Sequence, residues 1–454
     1  MNDSRTQNLF DSSLVVLHAL QAAGFTAYWA GGCVRDMIMK RTPKDIDIAT
    51  SAHPEQVAAL FPGAPEVGKS FGVVKVRVQG HTFDVATFRR DLSYTDGRRP
   101  QGVEFSTPRE DALRRDFTIN GLFYDPDKNL IVDFVGGQED ICARRIRTIG
   151  NPLDRFGEDH LRLLRAVRFA SVLEFSIDPA TADAITTMAH RLSTISAERI
   201  QGELTRILLE SPSAGQGIRL LHETGLLEVI LPEISAMAGV EQPPQFHPEG
   251  DVLTHTLMML DAMENPDVVL AYSVLLHDVG KTATFERATE PDGTERIRFR
   301  KHAEVGTDIA ARILDRLRLP SHESEQILHC VRNHMRFIDV HRMRRSTLRR
   351  MVGSPTFPAE LELHRLDCSC SHGDLSNYEF LLKFREQLAD EHPLPDPWIT
   401  GHDLMAMGIP EGPAVGVWHK RAYDAQLEGR FAGREELLAW IRQAVSSKVD
   451  SESD

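Results

Sequence analysis

The spacing of apolar positions changes along the chain, and the changes divide it. Residues 12–24 repeat apolar side chains at helical spacing and stop at Gly24. Short strand-like runs follow at 26–30, 45–49, 73–78 and 82–88, with a weaker one at 102–105 and a last one at 131–134. Helical segments at about 54–61 and 109–116 fall between them. This alternation predicts a mixed α/β head over residues 1–150. Beyond it the strand signal almost vanishes. Residues 158–210 carry helical periodicity and 213–233 read as a helix pair ending at Leu231-Pro232, which together predict a helical neck over 151–238. The stretch 239–250, with Pro243, Pro244 and Pro248, reads as a linker. A second all-helical block is predicted over 251–390. A proline-rich segment at 392–397 sets off a helical tail over 391–454, whose last residues from Ser446 are polar and frayed. The predicted fold class is therefore α+β, a mixed α/β head followed by all-α regions, without internal repeats.

Composition narrows the class without naming it. The 454 residues are 41% hydrophobic and 26% charged, which excludes a wholly disordered or collagen-like chain. There is no apolar run of roughly 18 residues to span a membrane, and the N-terminus lacks a signal-peptide pattern. Cys33, Cys142, Cys330, Cys368 and Cys370 are too scattered for a disulfide framework. The expectation is a reduced, cytoplasmic protein with no membrane partner. With 52 basic and 66 acidic residues the net charge is −14, so a nucleic-acid partner would have to meet a locally basic surface.

Candidate chemistry begins at Gly31-Gly32-Cys33-Val34-Arg35-Asp36, placed between a strand and a helix. Two glycines let backbone approach a phosphate closely, and Arg35, about one turn in, suits a triphosphate. Asp45-Ile46-Asp47-Ile48 is sharper. On a strand, residues i and i+2 face the same side, so Asp45 and Asp47 are expected to project together. Paired carboxylates repel unless a cation lies between them, and their hard oxygens suit Mg²⁺ completed by substrate phosphates. Such a site serves in-line phosphoryl displacement. Asp84, on a neighbouring strand, is a candidate third carboxylate.

These residues carry a resemblance. The Gly-Gly-x-Val-Arg-Asp turn, the Asp45-x-Asp47 strand and Arg114-Arg115-Asp116-Phe-Thr-Ile-Asn120-Gly-Leu are followed in order by Glu158-Asp159-His-Leu-Arg162-Leu-Leu-Arg165-Ala-Val-Arg168 and Ile195-Ser-Ala-Glu-Arg-Ile-Gln-Gly-Glu203. Together they resemble the bacterial class II tRNA nucleotidyltransferase and poly(A) polymerase family, whose head is polymerase-β-like. The resemblance covers at least residues 25–210. Lys40 and Gly121 depart from it, standing where the family more often has glycine and alanine. The resemblance implies that protein side chains, not a template strand, choose the nucleotide. It implies further that the Asp159 carboxylate and the Arg162 guanidinium, three residues apart on one helix face, read the base edge. Arg165 and Arg168 continue that stripe towards triphosphate or RNA phosphates, while Arg114, Arg115, Asp116 and Asn120 contact ribose and phosphates. Gly31, Gly32 and Arg35 complete the expected nucleotide site. The polar stretch 89–100 reads as a mobile loop; in the family a long loop here accompanies the final A addition.

The second block holds His255, His277-Asp278 at the end of an apolar helix, then His302, His334 and Asp367. An adjacent acid and imidazole at a buried helix end need mutual hydrogen bonds or a cation. The ordered set resembles the HD phosphohydrolase superfamily, which implies a metal held by His255, His277, Asp278 and Asp367, with His302 and His334 matching positions used for a second metal. His247-Pro-Glu-Gly-Asp251 resembles the HD-bearing tRNA nucleotidyltransferases. Imidazole with carboxylate suits Ni²⁺, Mn²⁺, Fe²⁺ or Zn²⁺. Cys368-x-Cys370 near His372 reads as packing.

Positive charge gathers at Arg332, Arg336, Arg342, Arg344, Arg345, Arg349 and Arg350, and at Arg144, Arg145 and Arg147, both candidate RNA phosphate contacts. Aromatic residues are few, which favours recognition of RNA shape over base stacking. The expected function is template-independent addition of CMP and AMP to the tRNA 3′ end from CTP and ATP with Mg²⁺, with a possible phosphohydrolase in the HD block. The alternatives are an A-adding enzyme, a poly(A) polymerase, and an HD phosphohydrolase whose head only binds nucleotides.

Overall fold

The computed structural model describes residues 2–62, 72–92, 102–243, 247–289, 295–388 and 392–451. Helix α1 (Asn2–Ala22) runs longer than its predicted core, burying Val16, Leu17 and Leu20 and stopping before Gly24, whose φ of 87° ends the turn. Strands β1 (Ala27–Ala30), β2 (Asp47–Thr50), β3 (Val73–Val78), β4 (His81–Thr87), β7 (Leu122–Asp125) and β8 (Leu130–Asp133) form one sheet in the order β3-β4-β2-β1-β7-β8. The β2–β4 pair is parallel and the other pairs are antiparallel. Ile48, Val74, Val76, Phe83 and Val85 bury the sheet's inner face. Helices α2 (Gly32–Ile38), α3 (Pro54–Leu60), α4 (Pro108–Leu113) and α5 (Gly137–Cys142) fall between strands. A Thr107–Glu110 capping box with Pro108 in the first turn starts α4.

The predicted loop from Arg89 begins instead as β5 (Arg89–Asp91), which pairs antiparallel with β6 (Val103–Phe105). Its middle, 93–101, lies outside the described residues.

The helical run predicted from 158 is broken. Helix α6 (Pro152–Glu158) ends at Asp159, whose backbone is extended (φ −144°, ψ 107°), and α7 (Arg162–Leu173) begins three residues on. Asp159 Oδ1 accepts the Leu161 N–H at 3.1 Å, so the residue ends one helix while tying down the start of the next. The neck continues through α8 (Pro179–Met188), α9 (Ala197–Glu210), α10 (Ala214–Glu223), α11 (Leu226–Ile230) and α12 (Pro232–Ser235). It also carries a two-stranded parallel pair, β9 (Arg145–Ile146) with β10 (Ser176–Ile177).

The chain forms two compact units. The first is Met1–Ala238 with Thr256–Asn265 and Arg312–Leu319; the second is Gly239–His255, Pro266–Ala311 and Pro320–Asp454. Helix α13 (Val252–Asp261) therefore contributes to both. In the second unit, α14 (Val268–Leu276) is apolar all round, buries every residue from Val269 to Leu276 and is capped by Asp267, which accepts the Leu270 N–H. Its C-terminal end delivers His277 and Asp278. Then come α15 (Lys281–Thr284) and an antiparallel hairpin of β11 (Phe285–Thr289) and β12 (Glu295–Phe299), which the all-helical expectation did not include. Helices α16 (His302–Leu317), α17 (Ser321–Asn333), α18 (Arg345–Val352), α19 (Phe357–Cys370) and α20 (Ser376–Gln387) follow, and α21 (Gly401–Ala406), α22 (Pro413–Leu427) and α23 (Arg434–Ser451) form the tail. Among the described residues no helix is long and apolar enough to cross a membrane, and none of the five cysteines is in a disulfide.

Candidate active site and candidate metal centre

In the first unit a cleft of about 1000 Å³ is lined by Gly31, Gly32, Arg35, Asp45, Asp47, Arg114, Arg115, Asp116, Asn120, Asp159, Arg162, Arg165 and Arg168. The fold thus brings together every sequence-selected head residue except Asp84. The turn after β1 opens the cleft. Gly31 has φ 74°, and a Cβ there would lie 2.9 Å from Arg115 Nη1. Arg35 donates to Asp36 Oδ1 and, at 2.8 Å, to Asn120 Oδ1. Asp111, buried under the cleft, accepts from both Arg114 (2.9 Å) and Arg115 (3.1 Å), which orients the two guanidinium groups.

Asp45 precedes β2 instead of lying on it, because the strand begins only at Asp47. The two carboxylates nevertheless share the cleft. Burial within it, and then Asp45, push the Asp47 carboxyl up from 3.8 to about 6. Asp84 is one strand away, holds Lys75 at 2.6 Å, and adds a smaller upward push on Asp47. Among the described residues no side chain bonds to either Asp45 or Asp47, so the pair keeps its oxygens available for a cation.

The neck supplies the other wall. Asp159 and Arg162 are not on one helix face as expected, since the helix breaks between them. Asp159 Oδ2 accepts from Arg199 Nη2 at 2.8 Å, while Arg162 donates to Glu158 Oε2 (2.5 Å) and the Arg155 carbonyl (2.9 Å). Arg165 binds Asp116 Oδ2 through Nε (2.8 Å) and Nη2 (2.5 Å). Burial raises the Asp116 carboxyl, but Arg165 and Arg162 outweigh it and hold the group well below the usual range. Arg168, expected to face phosphates, is 3% exposed, donates to Glu203 Oε2 at 2.5 Å and stacks on Phe169. It braces α7 against α9. Arg41, Lys44, Arg199 and Arg206 also line the cleft. The sequence reading missed them because an isolated basic residue on a helix or loop carries no motif.

The expected basic RNA patches are partly neutralised. Arg145 and Arg147 both bind the buried Asp140, and Arg144 lies 3.9 Å from Glu174. In the second cluster Arg336 pairs with Glu360, Arg350 with Asp424, and Arg342 with Asp339 at 3.8 Å. Arg349 is buried and donates to the carbonyls of His392 and Pro393. Arg332, Arg344 and Arg345 remain exposed.

The second unit builds a centre of imidazoles and carboxylates. His277, His302 and His334 are buried, and each directs Nδ1 at the carbonyl three residues earlier: Val274 O at 2.9 Å, Phe299 O at 2.9 Å and Val331 O at 2.7 Å. A carbonyl only accepts, so each Nδ1 carries the proton and each Nε2 presents a lone pair. These Nε2 atoms converge on Asp278, at 3.1, 3.6 and 3.8 Å from its oxygens. His302 and His334 face each other Nε2 to Nε2 at 3.1 Å, where two lone pairs repel unless a cation or proton joins them. Burial, with His277 nearby, drives the His334 imidazole down to about 4 and so disfavours the proton. The donor set fits a metal ion. Close approach makes this geometry possible: a Cβ on Gly280 would meet the His302 carbonyl at 2.1 Å. His255 Nε2 lies 3.1 Å from Asp367 Oδ1, and His277 belongs to the same cluster. Lys281 binds Asp278 (2.7 Å) and Gln242 (2.7 Å).

Residues read as a linker also belong here. Glu249 Oε1 lies 2.6 Å from His255 Nδ1 and 2.9 Å from His247 Nδ1, forming a further cluster of ligand-type groups. Proline and glycine around them gave a loop signal, which is correct for the backbone but says nothing of where the side chains lead.

The first unit joins a mixed α/β head to a carboxylate- and arginine-lined cleft, and the second gathers candidate metal-ligating histidines and aspartates. Comparison agrees segment by segment. Residues 27–147 match the poly(A) polymerase head domain, 174–237 the probable RNA- and SrmB-binding site of polymerase A, and 251–359 the HD domain. These matches place a poly(A) polymerase head, an RNA-binding segment and an HD domain in order along one chain. It is 45% identical over 221 residues to the CCA-adding enzyme of Bacillus licheniformis, covering 48% of this chain and 55% of that protein. With the Bacillus subtilis CCA-adding enzyme it shares 44% identity over 223 residues, 49% of this chain and 56% of that one. The chain thus spans about half the length of the curated relatives it matches. Over almost the full length it resembles the crystal structure of the Bacillus stearothermophilus CCA-adding enzyme in complex with CTP, with TM-score 0.74 and 27% identity over 97% of this chain and 99% of that one. The Thermotoga maritima CCA-adding enzyme complexed with tRNA shares the fold, with TM-score 0.61 and 20% identity over 95% and 94% of the two chains. Asp367 lies beyond the matched HD segment, and the fold still brings it to His255.

Proposed function

We propose that the chain is a cytoplasmic CTP/ATP:tRNA nucleotidyltransferase that builds the CCA end without a template. The observation that carries this reading is the one cleft lined both by Asp45 and Asp47, at the start of β2, and by Asp159 and Arg162 from the neck. Mg²⁺ held by Asp45 and Asp47 would supply the charge stabilisation that in-line attack of a tRNA 3′-hydroxyl on a nucleoside triphosphate requires. The chain's own residues do the rest. Arg35, Arg114 and Arg115, oriented by Asp36 and Asp111, offer guanidinium groups to the triphosphate at the Gly31 and Gly32 turn. Asp159 accepts and Arg162 donates, a pattern that suits cytosine and adenine edges and mismatches uracil and guanine. Arg165, fixed by Asp116, lines the same cleft.

Asp45→Ala and Asp47→Ala should each abolish nucleotide incorporation while tRNA retention on a filter stays close to wild type. Near-normal incorporation by either variant would overturn the assignment. The head, neck, HD and tail divisions at residues 1–150, 151–238, 251–390 and 391–454 serve as the working boundaries for such variants. The second centre supports a separate reading, phosphoester hydrolysis. His255, His277, Asp278 and Asp367, with His302 and His334, would hold Ni²⁺, Mn²⁺, Fe²⁺ or Zn²⁺, which would supply an activated water.

A further inference from the structure

Four histidines surround the HD centre, and three share one anchoring device. His277, His302 and His334 each donate Nδ1–H to the backbone carbonyl three residues earlier. His255 differs. Its buried Nδ1 makes no aligned hydrogen bond but lies 2.6 Å from the Glu249 carboxylate, an ion-pair contact, and its Nε2 faces Asp367 at 3.1 Å. The His255 side chain is fully buried and Glu249 is nearly so, at 4% exposure. The same Glu249 oxygen lies 2.9 Å from His247 Nδ1, and the His247 and His255 rings meet edge to face at 4.8 Å. Glu249 Oε2 is buried without a hydrogen-bond partner. Resting on the reading of this centre as a metal site, we infer that Glu249 is the positioning residue for His255. It fixes the Nδ1–H tautomer, aims Nε2 at the metal position, and strengthens that nitrogen as a donor through a charged rather than a neutral acceptor.

The consequence is that Gln242, His247 and Glu249, which lie outside the residues resembling metal ligands, belong to the centre. Gln242 reinforces it by accepting from Lys281, whose ammonium also holds Asp278. Removing Glu249 leaves His255 free to exchange tautomers and to turn its Nδ1 towards His247, whereas the three backbone-anchored histidines keep theirs.

The test uses the full chain with excess Mg²⁺ to occupy the head and Ni²⁺ as the probe, followed by calorimetry. Glu249→Ala should weaken Ni²⁺ binding roughly 10–100-fold, the usual cost of losing an outer carboxylate. Glu249→Gln, which keeps an acceptor oxygen and the packing, should fall between Ala and wild type. His247→Ala, which leaves the Glu249–His255 contact in place, should stay within about threefold of wild type. ¹⁵N NMR of the histidines adds a readout that a merely structural role would not move. His255 should be the Nδ1–H tautomer in wild type and a mixture in Glu249→Ala, with His277, His302 and His334 unchanged. Wild-type Ni²⁺ affinity and an unchanged His255 tautomer in a folded Glu249→Ala protein would overturn the inference. Failure of the wild type itself to bind Ni²⁺, Mn²⁺, Fe²⁺ or Zn²⁺ would instead remove the metal reading on which it rests.

Discussion

Replacing Asp47 with Asn should stabilise the protein in a chelator and destroy its chemistry. Asp47 sits in the cleft beside Asp45, and burial followed by that neighbouring charge raises its carboxyl from 3.8 to about 6. Above pH 6 the folded chain must hold this carboxylate ionised against its surroundings. A displacement of that size, were the group sealed from water, would withhold roughly 3 kcal/mol from the folded state. Asp47 is open to solvent at the cleft mouth, and screening reduces this to about 1 kcal/mol. For a unit of this size that corresponds to roughly 2–4 °C in melting temperature. The sign follows from proton binding. The folded state binds the Asp47 proton more tightly than the unfolded chain, so stability falls as pH rises from about 4 through about 6. The advantage of Asn is therefore full above about pH 6 and fades towards pH 4. Added Mg²⁺ should reverse the order by stabilising wild type and not the variant. Thermal melts of both proteins at pH 8 and pH 4.5, with EDTA or Mg²⁺, measure this. A folded Asp47→Asn protein that melts at or below wild type in EDTA at pH 8, or whose advantage grows in acid, would refute the reasoning.

Arg162→Ala should relax nucleotide choice by roughly 1–3 kcal/mol, read as increased UTP and GTP incorporation, while tRNA affinity changes little. Arg199→Ala frees Asp159 Oδ2 and should relax choice in the same direction, measured by the same competition. Arg168→Ala leaves the buried Glu203 with only Arg165, 3.9 Å away, and should cost roughly 3 kcal/mol in denaturant unfolding, more than the paired replacement Arg168→Met with Glu203→Leu. His277→Ala with Asp278→Ala should remove any metal-dependent phosphohydrolase activity and spare CTP and ATP addition, with circular dichroism recorded alongside because metal binding couples to folding.

The sheet and the head site were legible in the sequence because each residue type there is forced by local physics. Gly31 needs a positive φ and a close approach, and Ile46 and Ile48 point into the core on either side of Asp47. Helix boundaries were less legible. Asp159 carries the helical pattern of its neighbours, and only its carboxylate bond to Leu161 N–H shows that it ends one helix and starts another. Arg168 shares its spacing with Arg162 and Arg165, and spacing cannot show that Glu203, thirty-five residues later, takes its charge inside the neck. Part of the charge in the arginine clusters is taken by carboxylates that the basic spacing alone does not reveal, Asp140 close by in sequence and Glu360 and Asp424 far from their partners. The hairpin β11–β12 was hidden by charged residues, because its strands are largely exposed and lack the alternating apolar positions of a half-buried sheet.

The central claim is that one cleft adds C, C and A in turn to a tRNA end. It is tested most directly by incubating the purified chain with tRNA trimmed of its terminal CCA and supplying CTP alone, ATP alone, or both, then sequencing the 3′ ends. CTP alone should give CC, both together should give CCA and stop, and ATP alone should leave the trimmed end unchanged. Extension of only a CC-ending tRNA, or runs of A from ATP alone, would contradict the account.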